Sequence, residues 1–284
     1  VGLDTDLWYH LNAGRYIVEH GALPRDSSVF SFITPPRPWM DYYWLFQVLV
    51  YGLFTTTGYE GLAIFRSVVY LFLMGLVLSF LIRRHHSHNS YLACAAVFVL
   101  YVVLFAPRLQ MARPYIISYV FIVIFLYYLE FLPHRVLVLP ALAIIWFNLH
   151  GIEYPICLFM VMAYTTEALW QQFRSSSAPR AHPRALLVST LLCLFVAYTA
   201  TPLGVDLLRV PFISTQMASS YIAELKPFNV VEMLSSLHMT GLLPSRQTLQ
   251  ALFFLIVSFA AAATCIKRQA RLSHLMLFVA GLVL

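Results

Sequence analysis

The chain has 284 residues, 61% hydrophobic and only 11% charged, with a net charge of +6 and a mean hydropathy of +0.77. A soluble domain carries about 25% charged residues, so this composition excludes an ordinary water-soluble enzyme and reads as an integral membrane protein. The basic excess does not point to nucleic acid, because no run of five or six cations occurs and the cations sit in short breaks between apolar stretches.

The opening segment is the most polar part of the chain. It holds Asp4, Asp6, His10 and Arg15, and a short helix is predicted from Leu7 to about His20, stopped by Gly21. Pro24, Pro35, Pro36 and Pro38, mixed with serines, then give irregular loop. From Trp39 to Phe54 the chain turns apolar and aromatic, but a run spanning roughly 24 Å is short for a core of about 30 Å, so an interfacial helix is expected. Gly58-Tyr-Glu60-Gly61 closes it.

Apolar spans are then predicted at Leu62–Ile82, Tyr91–Ala106, Tyr115–Leu132, Val136–Leu149, Tyr154–Trp170, Leu186–Thr199, Leu249–Ile266 and from Leu272 onward. The expected fold is therefore all-α: a polytopic bundle of transmembrane helices with amphipathic helices at the membrane surface. We divide it into a first outer loop (1–61), helices (62–200), a long outer loop (201–248) and further helices (249–284). The chain starts without Met and stops inside an apolar run, and we read it as a single transmembrane domain that is a piece of a longer protein. Cys94, Cys157, Cys193 and Cys265 all fall in apolar runs without ligand spacing and read as small core residues.

Charge sets the expected orientation. With the opening segment outside, the inner breaks hold Arg83, Arg84, Arg135, Arg174, Arg180, Arg184, Lys267, Arg268 and Arg271, as the positive-inside rule requires. Asp4, Asp6, Glu19, Asp26, Asp41, Glu60, Glu153, Asp206, Glu224 and Glu232 fall at the opposite side, and Glu130 and Glu167 alone lie near the inner ends. This orientation puts residues 1–61 on the extracytoplasmic face.

Asp4 and Asp6 have two readings. Asp6 suits a helix N-cap with Asp4 as its neighbour near the positive helix end. Alternatively, one carboxylate is a general base, or the pair ligates a hard divalent cation such as Mg or Mn. His10, four residues after Asp6, shares its helix face. Trp8, Tyr9 and Tyr16 suit an interfacial aromatic belt or a surface on which a sugar stacks. Arg15, Arg66, Arg113 and Lys226 are outer cations able to hold a phosphate if they converge. His150 reads chiefly as a polar helix cap, with Glu153 three residues on.

The order Asp4-x-Asp6-x-Trp8-Tyr9-His10-Leu, Gly14-Arg15, Glu19-x-Gly21, Pro24-x-Asp26, Trp39, Tyr43-Trp44-Leu45, Gly58 and Arg66 resembles the first outer loop of C-type (GT-C) polytopic glycosyltransferases. These include oligosaccharyltransferase catalytic subunits, protein O-mannosyltransferases and aminoarabinose transferases. The closest likeness is to bacterial membrane proteins that also carry stretches like Arg113-Pro114, Asn148-Leu-His150-Gly151 and Pro202-Leu-Gly204. The resemblance implies a bacterial inner-membrane enzyme that takes a sugar from a polyprenyl-phosphate or polyprenyl-diphosphate carrier, with Asp6 or Asp4 activating the acceptor or binding a metal. Two departures stand out. Residues 107–114 lack the second acid of many relatives, so Glu153, Glu224 or the second opening Asp would substitute, and Tyr43 stands where an acid often occurs. The expected partners are membrane lipids and the polyprenyl-linked donor. The rival class is a non-catalytic membrane protein, either a lipid or solute transporter or a scaffold of an envelope assembly complex.

Overall fold

The computed structural model describes residues 5–32, 34–84, 91–92, 94–99, 101–102, 111–174, 182–218, 239–240, 243–244, 255–256, 259 and 271–283. Among the described residues the chain is all-α apart from one two-residue antiparallel pair, Met239–Thr240 with Leu243–Pro244. The helices are α1 (Thr5–His20), α2 (Trp44–Arg84), α3 (Tyr115–Phe131), α4 (Leu139–Leu149), α5 (Tyr154–Arg174), α6 (Pro183–Thr199), α7 (Val205–Ala218) and α8 (Leu272–Val283). The described residues of 91–102 are also helical.

α2 is two helices in one. Gly58 sits inside it at φ 65° and ψ −157°, a conformation that a residue with a Cβ avoids, and it divides a short limb (44–57) from a long one (59–84). The two limbs coincide with the apolar runs read at 39–54 and 62–82, joined without a loop. The long limb rises roughly 39 Å at 1.5 Å per residue. Among the described residues α2 is the helix long and apolar enough to cross a membrane by length and composition, and only 11% of its most apolar stretch is buried against protein. Ile64, Val68, Leu71 and Phe72 on this limb are exposed, as are Leu191, Phe195 and Tyr198 on α6. The remaining apolar helices, Tyr115–Phe131, Pro133–Leu149 and Pro183–Thr199, are shorter. Of the expected span 249–266 only Leu255, Ile256 and Phe259 are described, and all three are helical.

α1 lies across the short limb of α2. Its Leu7 and Leu11 pack with Phe46, Val50 and Leu62. Gly14 permits the approach, since a Cβ there would come within 2.2 Å of the Gln47 carbonyl oxygen and 2.7 Å of Tyr51 Cβ. The main core joins α3, α4, α5 and α6 around Phe125, Trp146, Phe147 and Cys193, with Leu207 of α7 closing one end. Trp146 stacks on Phe121 at 5.6 Å and meets the edge of Phe125 at 5.3 Å, so a large apolar ring is enclosed on several sides.

This packing gives the bundle two polar ends. At one lie the starts of α1, α2 and α3 and the turn between α4 and α5. At the other, the ends of α2, α3 and α5 meet the start of α8 through Arg84, Glu130, Glu167 and Arg271.

Candidate functional site

Asp6 lies inside the first turn of α1 rather than at its cap, because the helix begins at Thr5. A carboxylate there still interacts favourably with the positive helix end. Its specific partner is Arg113, just before α3: Arg113 Nη1 is 3.1 Å from Asp6 Oδ2. The Asp6 side chain is 49% exposed and that of Arg113 21%, and ion pairs this open contribute about 0–1 kcal/mol to stability. Such a pair is readily exchanged for a ligand.

One turn further along the same face, His10 is buried, with its ring edge-on to Tyr43 and Phe46 at 5.4 Å from each. Burial, and secondarily the positive charge of Arg113, lower its pKa to about 3, so the imidazole is neutral at pH 7. Its Nδ1 has no hydrogen-bond partner. The Tyr43 ring continues the contact, lying stacked on His150 at 5.3 Å and 25°.

His150, in the turn between α4 and α5, is likewise held neutral, its pKa lowered to about 3 by burial and then by proximity to His10. Ser118 Oγ is 2.6 Å from His150 Nδ1 and accepts the indole N–H of Trp146 at 2.8 Å. Trp146 can only donate, so the Ser118 proton is best used on Nδ1, which assigns the His150 hydrogen to Nε2. Glu153 Oε1 lies 4.0 Å from His150 Nδ1. Burial raises the Glu153 pKa, as expected for a carboxyl beside a neutral imidazole.

The backbone around this cluster is fixed by hydrogen bonds between distant segments. Trp44 Nε1 donates to Asn148 Oδ1 at 2.9 Å, Asn148 Nδ2 donates to the Ala200 carbonyl at 2.8 Å, and the Gly151 amide donates to the Tyr42 carbonyl at 2.9 Å. The Asn148-Leu-His150-Gly151 stretch thus clamps the start of α2 as well as supplying His150. His150 stands at the C-cap of α4, its amide donating to the Trp146 carbonyl, and its side chain is in addition a link in a buried network.

Asp6, His10, Arg113 and Glu153, chosen from sequence, are brought to one end of the bundle. Arg15 is not with them. It points away on the opposite face of α1, exposed, where it donates to Asn12 Oδ1 at 3.0 Å. The convergence on which a phosphate site of Arg15, Arg66, Arg113 and Lys226 depends is corrected for Arg15: a helix turns about 100° per residue, which puts position 15 across the helix axis from positions 6 and 10. Arg66 lies half-buried on the long limb of α2. Asp4, Glu224 and Lys226 fall outside the described residues. Among the described residues no group of three or more His, Cys, Asp or Glu could hold a metal ion. With Asp4 not described, the expected metal pair retains Asp6, whose carboxylate is already engaged by a guanidinium.

Asp41 is a site residue that sequence reasoning passed over. It is 1% exposed, its Oδ1 accepts from the Tyr43 amide at 3.2 Å, and its Oδ2 is buried without a hydrogen-bond partner. The available signal was an aspartate inside the aromatic run Trp39–Trp44, where a charge is expensive to desolvate.

Burial raises the Asp41 pKa to about 6, with the Tyr43 amide and the nearby Gln47 side chain pulling weakly the other way. A folded-state pKa above the unfolded value of about 3.9 means that the folded chain favours the protonated acid. That contribution is complete below about pH 4 and is lost as the pH rises through about 6. Asp41→Asn is expected to stabilise the chain by about 2–3 kcal/mol at pH 8 and to leave it nearly unchanged at pH 4. Thermal unfolding in detergent at the two pH values checks this, and equal shifts at both would dissociate the effect from Asp41 ionisation.

No family model, curated protein or solved structure matches the chain.

Proposed function

We propose that the chain is the membrane domain of a C-type glycosyltransferase, which moves a sugar from a polyprenyl-phosphate-type carrier to an acceptor hydroxyl at the extracytoplasmic face. The observation that carries this reading is the pairing of Asp6 with Arg113 at 3.1 Å, half-open to the surface, with Glu153 reached through the His10–Tyr43–His150 contact. Displacing a carrier phosphate from a sugar requires a base for the acceptor proton and a cation for the departing phosphate. Asp6 and Arg113 are such a couple. In the unliganded protein each neutralises the other, and the carrier phosphate competes for the guanidinium and releases the carboxylate.

The acceptor oxygen attacks the anomeric carbon, the bond from that carbon to the phosphate oxygen breaks, and the acceptor proton passes to the Asp6 carboxylate. The phosphate leaves on its lipid, held by Arg113. Glu153, whose pKa is raised by burial, is the second acid of the site.

The uncovered apolar faces of α2 and α6 support a bundle that spans the bilayer. Arginines at the ends of α2 and α5 and the start of α8 support cytoplasmic placement of that end, with the Asp6–Arg113 end outside. A site at the outer lipid surface suits a substrate whose carrier stays in the bilayer.

The test is turnover in vesicles. The full chain, reconstituted with polyprenyl-phosphate-linked sugars and a panel of hydroxyl acceptors, is expected to release free polyprenyl phosphate only when an acceptor is present. Arg113→Ala should raise the donor KM by about ten-fold or more, consistent with loss of a charge-assisted contact worth about 1.5–3 kcal/mol. A chain that inserts normally yet turns over no donor would instead be a transporter or scaffold.

A further inference from the structure

The face of α1 opposite Asp6 carries a second feature that the transfer reaction does not use. A cleft of about 530 Å³ opens there between α1, the loop at Phe30 and the short limb of α2, within the range of small-molecule sites. Its walls are aromatic, with Trp8, Tyr9, Phe30 and Tyr51, and its far end is polar, with Asn12 and Arg15. An adjoining cleft of about 360 Å³ shares Asn12 and Arg15 and adds Glu19, His20 and Ser28.

The two clefts are joined by a positioned polar pair. Asn12 Nδ2 donates to the Val29 carbonyl at 2.9 Å, which fixes the amide, and its Oδ1 in turn holds the Arg15 guanidinium at 3.0 Å. Trp8 is 60% exposed, an unusual outlay of aromatic surface, and touches Tyr59 only edge-on at 5.9 Å and 74°. His20 is stacked on Tyr16 at 4.2 Å, so the outer rim is ordered as well.

We propose that this double cleft is a binding site for a neutral saccharide, with one sugar ring seated on Trp8 and Tyr9 and its hydroxyls read by Asn12, Arg15 and Glu19. A pyranose has an apolar C–H face that an aromatic ring covers, and an edge of neighbouring hydroxyls that planar amide, guanidinium and carboxylate groups bond in pairs. The charge arrangement selects against the other amphipathic ligand such a site would take. Arg15 and Glu19 lie one helical turn apart on the same rim, so their charges offset each other and a lipid phosphate gains little. The inference does not rest on the transfer reaction, because the cleft lies across α1 from Asp6 and binds whether or not Asp6 catalyses.

The experiment uses the full chain in a zwitterionic detergent, since maltoside or glucoside head groups would compete. Cellotetraose, mannotetraose and N-acetylchitotetraose are titrated while tryptophan emission and saturation-transfer NMR are recorded. At least one is expected to bind. Trp8→Ala and Arg15→Ala should each weaken that binding by about ten-fold or more, Trp8→Phe should restore most of it, and Asp6→Ala should bind as the parent does. Circular dichroism checks that Trp8→Ala keeps its helices, as the exposure of Trp8 predicts. The proposal is overturned if no tetrasaccharide binds, if Trp8→Ala binds as tightly as the parent, or if short-chain phosphatidylglycerol occupies the cleft in preference to every sugar. Loss of transfer with binding intact, or the reverse, separates this site from the Asp6–Arg113 reaction.

Discussion

Asp6→Asn is expected to lower the rate of sugar transfer by about a hundred- to ten-thousand-fold, the range associated with a positioned general base. The substitution keeps the shape of the side chain and removes its basicity and its charge. Because the Asp6 side chain is 49% exposed and the pair with Arg113 is open to solvent, folding should change by no more than about 1 kcal/mol. The loss should therefore appear in kcat. The donor KM should stay level or fall, since Arg113 no longer has a carboxylate competing with the carrier phosphate. Steady-state kinetics in vesicles checks the split. Full kcat in Asp6→Asn would remove Asp6 from the reaction and leave Glu153 as the acid to examine.

The kinked α2 shows how much of this arrangement was legible in the sequence. The aromatic start at Trp44, the closure at Gly58 and the apolar run beyond it state two successive helices, and the structure has both, fused through one residue at positive φ. The helix stop at Gly21 was legible for the same local reason. Side-chain partnerships were not. Arg113 and Asp6 lie more than a hundred positions apart, and nothing in either neighbourhood announces the other. Helix phase was readable for Asp6 and His10, which are four apart, and the same arithmetic would have set Arg15 on the other face. Asp41 was hidden differently: its burial depends on Tyr9, Gln47 and the aromatic residues around it, and sequence alone gives no measure of enclosure.

Glu130 and Glu167, the two acids that break the charge pattern, identify the largest expected effect on stability. Both carboxylates are nearly sealed, with side chains 3% and 5% exposed, and Arg271 at the start of α8 binds them both. Its Nη1 lies 2.8 Å from each Glu130 oxygen, while its Nε and Nη2 reach the two Glu167 oxygens at 2.8 and 3.1 Å. His274 Nε2 lies 2.7 Å from Glu130, Arg84 reaches the same carboxylate at 3.3 Å, and Ser273 donates to Glu167. The acids therefore stand at the arginine-rich end as counter-charges within a network joining α2, α3, α5 and α8. Arg271→Ala removes the shared cation and leaves two buried carboxylates under-neutralised, a loss of about 3–5 kcal/mol. Arg271→Lys should recover only part of this, because an ammonium cannot bridge both acids with the same fork of donors. Replacing all three residues by Met should be milder than Arg271→Ala alone, since it leaves no buried carboxylate uncompensated and the Arg84 and His274 side chains it frees are 36% and 37% exposed to solvent. Chemical unfolding of the three variants in detergent checks the order. Arg271→Ala as stable as the parent would mean that the network does not hold α8 to the bundle.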